Sequence, residues 1–270
     1  MRVCLIAIAK MENDYINDWV KYHLNLGIDR IYLYDNNTDG YEFVGTRIEP
    51  QLLNNVEIIN VHKESRYQIS AYNDFLGKYK DSWDYCLILD LDEFFTMEKF
   101  SNIKDFLSQK KFNKYFDVIK FNWKSFGDDN IIFGDKSIPI YDRIKVPISS
   151  YYNWQGDIYT KSIFNCKSNY LGFNVSSHFP DKYVNDLIQL DSKGRLLPKG
   201  TYNKIKTIDW EDAYIRHYCT KTLSEFIESK LKRGNHESAV QSISLDYFFR
   251  RCTKTPEKLK YLNDLGIQCN

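Results

Sequence analysis

The chain has 270 residues, of which 27% are charged, with a formal net charge of +1. That length suits one large domain or two small ones around a real core, and the charge balance supplies no field that would draw in nucleic acid or an anionic membrane surface. Aromatic residues reach 16%, with 21 Tyr and 17 Phe; such rings either fill a core or line polar, partly wet pockets.

None of the six cysteines (Cys4, Cys86, Cys166, Cys219, Cys252 and Cys269) forms a C-x-x-C pair, which argues against a zinc site and for a reducing compartment. The opening "MRVCLIAIAK" is too short in its apolar part for a signal peptide, and no apolar run approaches a membrane span. A cytoplasmic location is the expectation, with the inner face of the membrane as an alternative.

Along the front half, apolar strands alternate with helical patterns. "RVCLIAIA" reads as a nearly continuous buried strand. "NDYINDWVKYHLNLG" carries Ile16, Trp19, Val20, His23 and Leu24 at helical spacing, with Gly27 as its stop. "DRIYLYD" is a second strand running into the turn-rich "DNNTDG", and "VEIINV" is a third. "QISAYNDFLGKYK" sets Ile69, Tyr72, Phe75, Leu76 and Tyr79 on one helical face, and "YCLILD" is a fourth strand. Such alternation predicts an α/β fold, a mostly parallel sheet flanked by helices, with ligands bound outside the carboxyl ends of the strands.

Past residue 115 the rhythm loosens. "DVIKFNW" alternates as a half-buried strand, expected to run beside the fourth. "FGDDN" is a loop, and 131–210 reads as short strands and turns. "TLSEFIESKLKRG" is a helix with Leu223, Phe226, Ile227 and Leu231 as its stripe and Gly234 as its stop. A helical tail follows, with Arg250, Arg251, Lys254, Lys258 and Lys260 as a basic face. That face reads as solvated, with peripheral contact to anionic lipid as the alternative.

Polar clusters follow each front-half strand. Lys10, Glu12 and Asn13 follow the first; Asp35, Asn36 and Asn37 the second; Glu64, Arg66 and Gln68 the third; Asp90, Asp92 and Glu93 the fourth. One cluster is what helix caps and turns produce, whereas four on one sheet edge point to a site. Two carboxylates two positions apart at the end of a rigid strand suit a hard divalent cation, which neutralises a departing diphosphate. Capping of the next turn is the competing reading.

In order, the chain carries "AIAKMEND", "YHLNLGIDRIYLYDNNTDG", "QISAYND", "DSWDYCLILDLDEFF", "FGDD", "HFP" and "RHYCTKTLSEFIESKLKRG". Over residues 1–235 this resembles the GT-A (Rossmann-like) glycosyltransferases, within them the bacterial group allied to families two and ninety-two. The resemblance implies a metal-dependent hexosyltransferase type that takes a nucleotide-diphosphate sugar, such as a UDP-sugar, and transfers the sugar, with inversion, to a glycan or glycolipid hydroxyl in surface polysaccharide or glycolipid synthesis. It implies a GT-A domain over 1–235, with 236–270 as a helical extension of the same domain.

It also implies roles for individual residues. Asp90, Asp92 and His217 are expected to hold Mn²⁺ or Mg²⁺. The donor falls to Lys10, Glu12, Asn13, Asp35, Asn36, Gln68 and Asp90, with Lys221 and Arg233 at its diphosphate. Glu93 belongs to the same acidic signature. Direct displacement also needs a base for the acceptor proton, for which Asp128 is preferred, Asp129 and Glu93 standing behind it; an ordinary turn competes for "GDDN". Trp123 and Trp154 are read as sugar-stacking or packing rings, His178 as a site residue or a turn cap, and His23 as a core histidine. A nucleotidyltransferase is the alternative enzyme, disfavoured because "AIAKMEND" has no glycine. A sugar-nucleotide-binding protein without catalysis is the alternative outside enzymes.

Overall fold

The structure is a computed structural model that describes residues 1–37, 42–61, 67–150, 154–232 and 243–268. The front-half strands form where the sequence places them: β1 (Val3–Ala9), β2 (Arg30–Asp35), β3 (Val56–Asn60) and β4 (Tyr85–Ile88). β1 pairs in parallel with both β2 and β4, and β2 in parallel with β3. The registers Ala9↔Asp35 and Asp35↔Asn60 bring the carboxyl ends of β1, β2 and β3 level. The sheet continues through β5 (Glu93–Met97), β6 (Val118–Ser125), β7 (Thr160–Asn165), β8 (Gln189–Asp191) and β9 (Ala213–His217), in the order β3-β2-β1-β4-β7-β6-β9-β5, with β8 on β6.

The α/β class is as expected, but the sheet is mixed. β7 pairs antiparallel with both β4 and β6, so "DVIKFNW" does not run beside the fourth strand. The cause is the segment "TKSIFN", five of whose six residues are buried; an almost fully buried extended segment must find ladder partners on both sides.

Helix α1 (Ile16–Asn25) covers the sheet edge at β5. Trp19 Nε1 donates to the Glu93 carbonyl at 2.8 Å, Tyr22 Oη donates to the Phe95 carbonyl at 3.1 Å, and the Phe95 N–H donates to His23 Nε2 at 3.3 Å. Side chains of a helix thus satisfy an edge strand's polar groups. Gly27 ends this segment at φ +91°, where a Cβ would stand 2.7 Å from the amide of Asn102. Helix α2 (Tyr67–Lys78) packs Ala71, Tyr72, Phe75 and Leu76 against Ile6, Tyr34, Cys86, Ile88 and Phe164. Cys4 and Cys86 are fully buried. Helix α3 (Ile103–Leu107) is capped by Asn102.

Two compact units emerge, residues 1–124 with 156–216, and 125–155 with 217–270. In the second unit α4 (Ile140–Arg143) is followed by α5 (Leu223–Glu225), which continues as a π turn over Phe226–Leu231, then by α6 (Leu245–Phe249) and α7 (Pro256–Asp264). Leu223, Phe226, Ile227, Phe248, Cys252 and Leu262 form its core. The basic tail is not one solvated face: Lys258 is buried, and the Arg251 guanidinium lies over the rings of Trp154 and Tyr247. Among the described residues no helix is long and apolar enough to cross a membrane.

Candidate functional site

The carboxyl ends of β1, β2 and β4 gather the polar residues singled out in the sequence. Two loops there are tied to each other. Asn37 Oδ1 accepts from the Met11 N–H at 2.7 Å, while the amides of Asn13 and Asn37 both donate to the Glu42 carbonyl. Asp35 is fully buried, and its oxygens accept from the backbone N–H groups of Asn37 (3.0 Å) and Val44 (2.6 Å). Asp35 thereby holds the loop after β2. Lys10 and Asn36 are partly exposed at this edge, and Glu12 and Asn13 are buried. Glu64 and Arg66 lie outside the described residues.

At the end of β4 stands the acidic cluster. The Asp90 side chain is 36% exposed, Asp92 is 9% exposed and Glu93 is fully buried. Asp90 Oδ1 accepts from Gln68 Nε2 at 3.0 Å, and the same amide donates to the Tyr72 hydroxyl. Asp90 Oδ2 accepts from Lys161 Nζ at 2.8 Å. Glu93 Oε2 accepts from the Asp90 N–H at 2.9 Å and lies 3.4 Å from the same ammonium. Burial pushes the Asp90 carboxyl up, but the Lys161 ammonium pulls it further down, so it stays ionised. Burial dominates at Glu93 and raises its carboxyl well above the usual range. Sealed from solvent, Glu93 holds the turn that presents Asp90.

Lys161 is the residue the sequence reading missed. It sits on β7, and the antiparallel register Leu87↔Ile163 places it level with the end of β4. A signal existed: Lys161 shares the strand face of Ile163 in a sheet with helices on its faces, and a lysine there must be paired. Beside it, His178 Nδ1 bonds to the Thr160 carbonyl at 2.7 Å, and its ring packs 5.3 Å from that of Trp123.

The remaining candidates belong to the second unit. Asp128 is 3% exposed and ion-paired with Lys258 at 2.5 Å, with Oδ1 also accepting from the Asn130 N–H. Its carboxylate is thus held by a buried ammonium, as in a structural ion pair. Asp129 accepts from the N–H groups of Lys145 and Val146 and closes a loop. Lys221 is 1% exposed at φ +58°, and Thr222 next to it forms a capping box with Glu225. His217 is partly exposed at the end of β9. Arg233 lies outside the described residues.

Among the described residues no three His, Cys, Asp or Glu side chains converge as a cation cage. Asp90 and Asp92 do offer hard oxygen donors of the kind that hold Mg²⁺ or Mn²⁺ when diphosphate oxygens complete the shell.

The family profile described as glycosyltransferase family 92 matches residues 1–261. The chain belongs to that family. A glycosyltransferase family 92 protein of rice (Oryza sativa subsp. japonica) is 27% identical over 71 residues, which are 26% of this chain and 10% of the rice protein. Among solved structures, S. aureus TarS 1–349 aligns with 98% of this chain and 79% of its own at 13% identity and TM-score 0.44. HddC from Yersinia pseudotuberculosis aligns with 86% of this chain and 100% of its own at 10% identity and TM-score 0.41. The inositol-1-phosphate CTP transferase from T. maritima aligns with 80% and 89%, respectively, at 15% identity and TM-score 0.37. The chain spans about a tenth of the length of the rice relative it matches.

Proposed function

We propose that this glycosyltransferase binds a nucleotide-diphosphate sugar, such as a UDP-sugar, at the Asp90–Asp92 edge of β4 and passes the sugar, with inversion, to a hydroxyl of a glycan or glycolipid. The observation that carries this reading is Asp90: an accessible carboxylate at the end of a buried strand, fixed by Gln68 on one oxygen and Lys161 on the other. Asp90 and Asp92 would hold the Mn²⁺ or Mg²⁺, which when bound offsets the charge of the departing diphosphate. Gln68 and Lys161 fix Asp90 before the donor arrives, so little ordering remains at binding. The loops locked by Asn13, Asn37 and Asp35 frame the neighbouring space, where the nucleoside is expected, with Lys10 and Asn36 as its exposed polar groups.

The test is a panel of sugar nucleotides screened by thermal shift with and without Mn²⁺, followed by transfer and donor-hydrolysis assays. A ligand that binds only the native state raises its melting temperature. Metal-dependent stabilisation by one nucleotide class, with metal-dependent sugar release, is the expected result; no stabilisation by any sugar nucleotide would overturn the reading.

A further inference from the structure

We propose that Lys161 is a positioning residue, the resident cation of the Asp90–Asp92–Glu93 cluster, which makes tight binding of a divalent cation depend on the donor diphosphate. This rests on the donor and metal reading above.

The geometry is specific. Lys161 is fully buried, donates to Asp90 Oδ2 at 2.8 Å, approaches Glu93 Oε2 at 3.4 Å, and points its ammonium toward the Ser177 carbonyl at 3.5 Å. At that depth the charge of Lys161 is compensated by the carboxylates beside it. Its ammonium covers one oxygen of Asp90 and already neutralises one charge of the cluster. A divalent cation arriving alone meets that fixed positive charge at short range in a medium of low effective dielectric constant. A cation arriving with a diphosphate brings its own anions, and the repulsion is offset. The nucleotide-free protein also keeps its carboxylates in place without a metal, because Lys161 prevents their mutual repulsion.

Mn²⁺ binding to the full chain, read from the electron paramagnetic resonance signal of unbound Mn²⁺ with and without UDP or GDP, tests this. Wild type should bind Mn²⁺ weakly alone and tightly with the nucleotide. Lys161→Met should bind Mn²⁺ alone tighter by about tenfold or more, because a unit charge a few Å away has gone, while its gain from the nucleotide shrinks. Lys161→Arg, which keeps the charge, should stay near wild type in both. If Lys161→Met does not fold, Lys161→Met/Glu93→Gln removes the cation together with one acid it faces and carries the same readout. A purely structural Lys161 would lower the melting temperature and leave the Mn²⁺ affinities unmoved, and that result overturns the proposal alone. If wild type binds neither nucleotide nor Mn²⁺ in any combination, the donor reading falls and this inference with it.

Discussion

The side-chain amide of Asn37 donates to Asn13 Oδ1 across 3.1 Å, joining the loop after β2 to the loop after β1. Asn37 is 1% exposed and also accepts from the N–H of Met11, a non-glycine residue at φ +56°. Asn37→Ala leaves that N–H and the Asn13 carbonyl without a partner, which costs roughly 1–3 kcal/mol. Denaturant unfolding should show this loss, and the donor KM should rise more than kcat falls. An unchanged KM would place the nucleoside away from these loops.

His23 gives a pH signature. Its Nδ1 bonds to the Trp19 carbonyl at 2.8 Å, its Nε2 accepts from Phe95, and burial lowers its pKa to about 3. The unfolded chain takes up a proton near pH 6.5 that the folded ring refuses. Stability from this group is therefore full above that pH and falls by about 1.4 kcal/mol per unit as pH drops toward 3. His23→Leu should be less stable at pH 7, because the Phe95 N–H loses its acceptor, yet show a shallower decline between pH 6 and 5. An identical slope would mean that His23 is not the group titrating.

In the second unit, Arg143 grips both oxygens of Glu225, at 3.1 Å and 2.6 Å, with side-chain exposures of 7% and 1%. Burial pushes the Glu225 carboxyl up, but Arg143 and Thr222 outweigh it, and the pKa falls to about 2. This stabilisation is present above the ordinary carboxylate pKa and is lost as pH falls through about 2. Arg143→Met strands a buried carboxylate and should cost about 3–5 kcal/mol, measured by denaturant unfolding at pH 7. A cost below ~1 kcal/mol would show that the pair is open to water.

Much of the front half was legible because its strands and helices advertise themselves by period. β1 is apolar throughout, and α2 keeps Tyr72, Phe75 and Leu76 on one side. The acidic edge was legible for the same reason, since Asp90 and Asp92 end an apolar run. Long-range pairing was not. "TKSIFN" is a short strand whose partners, β4 and β6, precede it by dozens of residues, so neither the antiparallel insertion nor Lys161 could be read locally. Nor could the partners of Asp35, two backbone N–H groups, or of Asp128, the Lys258 ammonium, be read from the local sequence.

Asp128→Asn removes the anionic partner of Lys258, which is 1% exposed, and leaves the buried ammonium with only the neutral oxygens of Asn130 and Thr253. The variant should lose about 3–5 kcal/mol of stability, while kcat of the folded enzyme stays within a few-fold of wild type. A loss of about 10²–10⁴ in kcat without a stability change would restore Asp128 as a general base.

The binding of a nucleotide diphosphate at the end of β4 is tested most directly by titrating UDP, and GDP in parallel, into wild type and Asp92→Asn with Mn²⁺ present and after chelation, with heat as the readout. Wild type with Mn²⁺ should bind one of the two nucleotides, and chelation or Asp92→Asn should weaken that binding by at least about tenfold, with the melting temperature of the unliganded variant close to wild type. Equal affinity in all three conditions would contradict a donor site built on Asp90 and Asp92.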